Sequence, residues 1–189
     1  AERPGSTAAT APEVREVRLD FADPRSFGSA LTGVDRVLLV RPPALADVKR
    51  YFRPFIEAAR KCGVRHVVFL SVMSAEKVSF IPHAKIETLL EDSGMDWTFL
   101  RPGFFNQNLS TTHLEQIRDE DRISVPAGGG RTSFVDTRDI GVVAARVLTE
   151  SGHEGRAYTL TSGDILSYGE VAEILSEELG RPIRYTRPG

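Results

Sequence analysis

Few side chains in this sequence are suited to handling protons, and they stand just behind apolar runs. Ser71 follows Val67-Val68-Phe69-Leu70, and His83 and Lys85 come soon after it. An imidazole titrates near neutral pH, which suits His83 to proton exchange. Only four basic residues are lysines, at positions 49, 61, 77 and 85. Each candidate has a structural reading beside its chemical one: Ser71 as a strand-end cap, His83 as a helix-packing ring, Lys85 as a solvated helix lysine. Arg41 follows Val37-Leu38-Leu39-Val40 and has the geometry to meet an anion. Asp20 reads equally as a turn carboxylate and as a ligand group. Gly128-Gly129-Gly130 is the only glycine cluster, and it precedes Arg131-Thr132-Ser133-Phe134, which reads as a strand. A backbone cradle for phosphate needs a strand, a Gly-rich turn and then a helix. This cluster therefore reads as a flexible connection. Cys62 is alone, so no internal disulfide and no Cys-based metal cluster is expected, and no metal site is assigned.

The elements that must position these groups follow from periodicity. Val14 to Leu19 alternates as a half-buried strand does. Asp23-Pro24 opens a short helix to about Leu31. Val37–Val40 and His66–Leu70 are continuous apolar runs of the kind found in strands buried on both faces. Between them, Val48, Phe52, Phe55, Ile56 and Ala59 recur at helical spacing, and Gly63 stops the helix. A helix over about 83–92, a strand over 97–100 and a short strand at 133–135 come next. Asp136 or Thr137 then caps a helix with Ile140, Val143, Val147 and Leu148 on one stripe. Tyr158–Leu160 is a strand, and Ser167 with Glu170 forms a capping box that opens the last helix. Alternating strands and helices argue for an α/β fold, a parallel sheet with helices on both faces. Ligands of such sheets bind beyond the carboxyl ends of the strands. That directs attention to Asp20-Phe21, Arg41-Pro42, Ser71 and Arg101-Pro102-Gly103.

Composition bounds the rest. The chain has 189 residues, 41% hydrophobic, with 24 basic and 26 acidic side chains. That is one domain's length. A net charge of −2 offers nothing to nucleic acid or to a membrane surface. The longest apolar runs fall far short of the roughly 20 residues of a membrane span, and no signal-peptide pattern is present. A cytoplasmic protein is expected.

From Val14 onward the sequence resembles the NmrA-like group of atypical short-chain dehydrogenase/reductases, which includes flavin-independent NAD(P)H quinone and azo reductases. The resemblance rests on Leu19-Asp20-Phe21-Ala22-Asp23, on Gly33-Val34-Asp35-Arg36 before the Val37–Val40 strand, and on Ala58-Ala59-Arg60-Lys61-Cys62-Gly63-Val64. It continues through His83, Ile86-Glu87, Leu90, Ser93-Gly94 and Trp97-Thr98 to Leu100-Arg101-Pro102-Gly103-Phe104-Phe105 and Gln107-Asn108. Phe134-Val135-Asp136-Thr137-Arg138-Asp139-Ile140 completes it. It implies a doubly wound, NAD(P)-binding Rossmann-type domain with part of a small C-terminal substrate lobe. The nucleotide-binding core would span about 1–110 and 132–150, and lobe elements about 111–131 and 151–189. Family members begin with a strand, a Gly-rich turn, a helix and a second strand. By this resemblance Ala1 falls just after that second strand, and family members also continue past the equivalent of Gly189. The chain then reads as the middle of a longer protein, or else as a shortened relative.

The resemblance also implies roles. Asp20 and Phe21 would flank the adenine; Val40, Arg41 and Pro42 would pass under the adenosine ribose and phosphates. Pro102, Gly103 and Phe104 would lie by the nicotinamide, with Asn106 and Asn108 ordering that loop. Ser71 and Lys85 would serve both cofactor binding and catalysis. The usual reductase pairs such a lysine with a tyrosine four residues earlier, but position 81 is Ile. None of Tyr51, Tyr158, Tyr168 and Tyr185 precedes a lysine at that spacing. His83 is the nearest substitute acid. The function implied is hydride transfer from NAD(P)H, with NADP(H) favoured, to a quinone-like or similar small acceptor that needs little acid catalysis. An NAD(P)-sensing regulatory protein and a sugar-nucleotide epimerase or dehydratase are the alternatives. A small-molecule acceptor is the implied partner, with homo-oligomers possible and no nucleic acid or membrane partner.

Overall fold

Alternation along the strands decides the architecture. Val67 and Phe69 pack into one apolar cluster while Val68 packs into another, because successive strand side chains point to opposite faces. The computed structural model describes residues 14–188. In chain order its first elements are α1 (Arg25–Leu31), β1 (Arg36–Val40), α2 (Val48–Lys61), β2 (His66–Leu70), α3 (Pro82–Glu91) and β3 (Asp96–Pro102). Next come β4 (Phe104–Phe105), α4 (Leu114–Asp119), β5 (Arg122–Ser124), β6 (Arg131–Val135) and α5 (Thr137–Thr149). The chain closes with β7 (Arg156–Leu160), β8 (Ile165–Ser167), α6 (Tyr168–Leu179) and β9 (Arg184–Thr186).

Strands β1, β2, β3 and β7 form one parallel sheet in that order, with Val37 opposite Val67, Val67 opposite Trp97 and Leu100 opposite Tyr158. Helices α1, α2 and α3 cover one face through Phe27, Phe52, Phe55, Ile86 and Leu90. Helix α5 covers the other, laying Ala144 and Val147 on Val68 and Leu100. The central strands β2 and β3 are thus covered on both faces, as a parallel sheet requires. A second cluster of Ile117, Ile123, Phe134, Tyr168, Val171 and Ile183 lies among α4, β5, β6, α6 and β9. There β4 pairs with β6, β6 with β8 and β5 with β9.

Caps form where small polar residues precede helices. Asp47 accepts the Arg50 N–H at α2, and Ser167 and Glu170 form the reciprocal capping box at α6. At α1 the cap falls on Pro24, one residue later than expected, with Asp23 Oδ1 accepting the Arg25 N–H at 3.2 Å. Two further expectations are corrected. Val14 to Leu19 forms no strand; its residues pair with none of the described strands, and Val14, Val17 and Leu19 are exposed. Strand β1 is not buried on both faces, because it lies at one end of the strand order, and Leu38 and Val40 are exposed. Gly128–Gly130 lies in the connection from β5 to β6, where the Gly130 N–H donates to the Ala127 carbonyl at 2.8 Å. No helix among the described residues is long and apolar enough to cross a membrane.

The two clusters meet where β3 runs into β4. Gly103 donates its N–H to Leu160 O at 3.0 Å, so it sits between β7 and β6. A Cβ on Gly103 would lie 2.3 Å from the Ser133 carbonyl oxygen. A backbone atom cannot swing aside as a side-chain tip can, so glycine is needed here for the approach of another strand. Gly103→Ala should destabilise the fold by about 2 kcal/mol, the cost of overpacking a close contact. Urea unfolding measures it, and an unchanged midpoint would refute the contact.

Candidate functional site

Because β1, β2, β3 and β7 are parallel, Arg41, Ser71, Gly103 and Thr161 emerge from one edge of the sheet. The β2–β3 ladder runs past the strand ends: Ser71 N–H donates to Leu100 O at 2.8 Å and Met73 N–H to Pro102 O at 3.0 Å. This holds Ser71 rigidly, 2% exposed, yet its Oγ has no hydrogen-bond partner among the described residues. A buried hydroxyl without a partner costs free energy. Ser71 lies just past the carboxyl end of β2. Three residues on, Ser74 takes a left-handed conformation, φ 63°, which turns the chain away from the edge.

Arg41 is not free to meet a phosphate with its whole guanidinium. Its Nη1 donates to the carbonyls of Pro42, Pro43 and Leu45 at 3.0–3.2 Å, and its Nε to His83 Nε2 at 3.3 Å. That last bond fixes the His83 tautomer. Since guanidinium only donates, Nε2 must accept, and the ring proton sits on Nδ1. Burial, then the adjacent Arg41 charge, push the His83 pKa below its ordinary 6.5, with Glu87 opposing. Its ring also stacks on Phe69. His83 is therefore a neutral acceptor at this position, poorly suited to the acid role the sequence suggested.

Lys85 extends from the exposed side of α3. It lines a cavity of about 530 Å³ with Val48, Lys49, Glu76 and Arg101, and neither Ser71 nor His83 lines that cavity. The three catalytic candidates are thus not brought into one pocket. At the adenine end, Phe21 has its ring 5.0 Å from Phe52 and 5.1 Å from Phe55. It is part of the core, and its ring is not free to flank a base. Asp20 Oδ1 accepts the Ala22 N–H at 2.8 Å, the turn role, while Ser26 Oγ bridges its backbone. Val40 and Pro42 are exposed at the strand end, whereas Pro102 is buried. Phe104 packs on Phe134, Tyr168 and His113 as part of the second cluster.

Two groups of residues escaped the sequence reading. Arg101 grips Glu87 with two parallel bonds of 3.0 and 2.7 Å and reaches Glu76 at 3.0 Å. Glu87 is nearly fully buried, and the pairing raises the Arg101 pKa. The Glu87 position inside an amphipathic helix stripe was the signal available. The second is Gln107. Its Nε2 donates to Asp136 Oδ1 at 2.9 Å and its Oε1 accepts the Thr137 N–H at 3.0 Å. Asn106 and Asn108 contribute backbone carbonyls, which accept from Leu109 and His113.

An NAD(P) nucleotide is a partial fit to these residues. The unpartnered Ser71 hydroxyl at the carboxyl end of β2 is a group such a ligand could satisfy. No Gly-rich turn entering a helix, which would cradle the pyrophosphate, occurs among the described residues.

The NmrA-like family matches residues 2–188. The chain is 39% identical over 170 residues to an NAD(P)H azoreductase of Xenophilus azovorans, spanning 88% of this chain and 59% of that protein. It is 28% identical over 169 residues to quinone oxidoreductase 2 of Escherichia coli, again spanning 88% of this chain and 59% of the relative. Among solved structures, the NADPH complex of an E. coli NADPH-dependent quinone oxidoreductase superposes with a TM-score of 0.80 at 27% identity, covering 91% of this chain and 62% of that one. A Citrobacter triphenylmethane reductase complexed with NADP(H) gives 0.77 at 28%, covering 92% and 62%. The sheet is thus of the Rossmann-like type, and the chain spans about three-fifths of the length of these relatives.

Two outcomes follow. Glu87→Ala leaves Arg101 with only half-exposed Glu76, and should cost about 3 kcal/mol in urea unfolding. Replacing both residues by Glu87→Leu and Arg101→Met should recover most of that; a double variant no better than the single would refute the pair. The His83 ring should titrate with a midpoint below 6.5 by NMR. Because the unfolded chain binds that proton more readily, its contribution to stability is full above pH 6.5 and is lost as pH falls below it. A midpoint at or above 6.5 would contradict the Arg41 contact.

Proposed function

The chain belongs to the NmrA-like family, and from that premise we propose that it forms the nucleotide-binding core of an NAD(P)H-dependent oxidoreductase acting on a quinone-like small acceptor. Residues of about 1–110 and 132–150 would make the core, and about 111–131 and 151–189 the acceptor lobe. The Ile117–Ile183 cluster supports the lobe over 111–131 and from β8 onward, whereas β7 (Arg156–Leu160) belongs to the main sheet and Phe134 to the second cluster. NADP(H) is the favoured nucleotide, in keeping with the NADPH and NADP(H) complexes of the two structural relatives.

One observation carries the reading: a buried, unpartnered Ser71 hydroxyl stands at the strand edge with no proton-donating tyrosine to accompany it. Ile81 occupies the N-cap of α3, where the family's tyrosine would be, and His83 Nε2 accepts from Arg41. Bound NAD(P)H supplies a hydride. Ser71 Oγ–H lies buried just behind the edge and would donate to a ligand oxygen only once its cover shifts, orienting that oxygen without giving up a proton. Lys85, exposed on α3, has the reach of a long flexible stem for a ribose hydroxyl. The site therefore suits an acceptor that becomes stable once it takes hydride and draws its proton from solvent. A quinone does this, reaching the hydroquinone with one hydride and one proton. Sugar-nucleotide epimerase or dehydratase chemistry depends on the Tyr–Lys pair, which Ile81 removes.

NADPH oxidation by the natural full-length protein, followed at 340 nm with a panel of small quinones, tests this. Turnover that requires the quinone is the expected result. Nucleotide binding without turnover across the panel would replace the reductase with a redox-sensing protein. Ser71→Ala should leave the ligand-free protein as stable as wild type or slightly more so, since an unsatisfied buried hydroxyl is removed. The same variant should lose about tenfold or more in kcat/KM, the worth of one hydrogen bond.

A further inference from the structure

We propose that Gln107 is a positioning residue for the acceptor, holding the loop after β3 against the start of α5 so that the acceptor side of the site keeps its shape. The inference rests on the reductase reading for what that side of the site binds. Its geometry stands without it.

Both ends of the Gln107 amide are committed. The Thr137 backbone N–H can only donate, so Oε1 must face it, and Nε2 is left to face Asp136. Asp136 is an acceptor only, since the side-chain and backbone donors of Arg138, with Gln107 itself, hold its carboxyl far below the usual carboxylate range. The amide orientation is thus dictated by chemistry, and a flipped amide would set donor against donor. The Gln107 carbonyl also accepts Thr111 Oγ1 at 2.8 Å and Ser110 Oγ at 3.1 Å, so the clamp extends through the turn that leads to α4.

This clamp is one of three ties in a row. Gly103 lies against the Ser133 carbonyl, Phe104 and Phe105 pair with Phe134 and Val135, and Gln107 closes on Asp136 and Thr137. Together they bind the segment leaving β3 to the segment entering α5. That seam adjoins the second cluster, where Phe104, Leu109, Phe134 and Tyr168 pack. It is far in the strand order from β1 and Arg41. The seam includes Gly103 and Phe104, expected beside the nicotinamide, so loosening it should disturb an acceptor held between sheet edge and lobe far more than the nucleotide as a whole, whose adenosine end is expected near β1.

The test uses the full-length protein with Gln107→Ala and Gln107→Glu. Three quantities are read: hydrogen exchange at the Thr137 amide, NADPH affinity, and menadione affinity by quenching of Trp97 fluorescence, with turnover measured separately. In Gln107→Ala, Thr137 exchange should accelerate and menadione Kd and KM should rise about tenfold, with NADPH Kd changed less than about twofold. In Gln107→Glu, the new carboxylate accepts Thr137 N–H but faces ionised Asp136, with Arg138 and Asp139 the nearest charged neighbours on α5. Protonation restores a donor, so menadione affinity should recover as pH is lowered. An unchanged menadione Kd in Gln107→Ala, an equal loss of NADPH affinity, or a Gln107→Glu defect indifferent to pH would each overturn the proposal. If wild-type protein binds menadione without turning it over, the reductase reading falls while the Gln107 comparison still decides this one. If it does not bind menadione, both fall.

Discussion

The guanidinium of Arg101 ties together the three segments that make the candidate site. It leaves β3 one residue before Pro102, grips Glu87 on α3, and reaches Glu76 in the loop that follows Ser71. Each charge is taken largely out of water, so the pair survives only because both parallel bonds form. Such a pair adds little net stability over an apolar replacement. What it contributes is register: α3 can sit on β3 in one rotational setting, the one that turns His83 toward Arg41 and leaves Lys85 on the open side.

That setting has chemical consequences. Once α3 is fixed, His83 Nε2 meets Arg41 and the imidazole is held neutral. The arginine in turn spends both N–H groups of Nη1 on the three carbonyls of the 42–45 turn. A residue pair that could have served as acid and anion ligand is used to shape the loop beyond β1. Ser71 is the counter-case. Its backbone is fully engaged by the ladder, while its hydroxyl is left without a partner. Polar groups satisfied by the fold and a buried hydroxyl without a partner thus lie on the same edge.

The opposite end of that edge is governed by backbone proximity. Gly103 allows β3 to pass against β6, and Gln107 then caps the seam on α5. Through this seam the four-stranded sheet and the smaller cluster act as one unit, because β3 and α5 belong to the first and β4 and β6 to the second. The seam also explains why Phe104 and Phe21 differ from what their neighbourhoods in sequence suggest. Both rings are absorbed into packing, Phe104 against Tyr168 and Phe134, Phe21 against Phe52 and Phe55.

The parallel sheet, its covering helices and the edge where its strands end were legible from sequence alone, since they depend on apolar periodicity and strand length, and these are local properties. His66–Leu70, the stripe of α2 and the Ser167–Glu170 capping box are of this kind. The short strands β4, β5, β8 and β9 carry too few residues for a period, and Val14–Leu19 carries a strand's pattern without a strand's neighbour. What each polar side chain does was decided only by tertiary structure. Arg41 is 42 positions from His83 and Gln107 is 29 from Asp136. A donor's role depends on which acceptor the fold brings to it, and no local pattern encodes that. Sequence alone thus determined which strands end on the carboxyl edge, and the packing of α3 and α5 on the sheet determined which polar groups there find a partner and that the Ser71 hydroxyl does not.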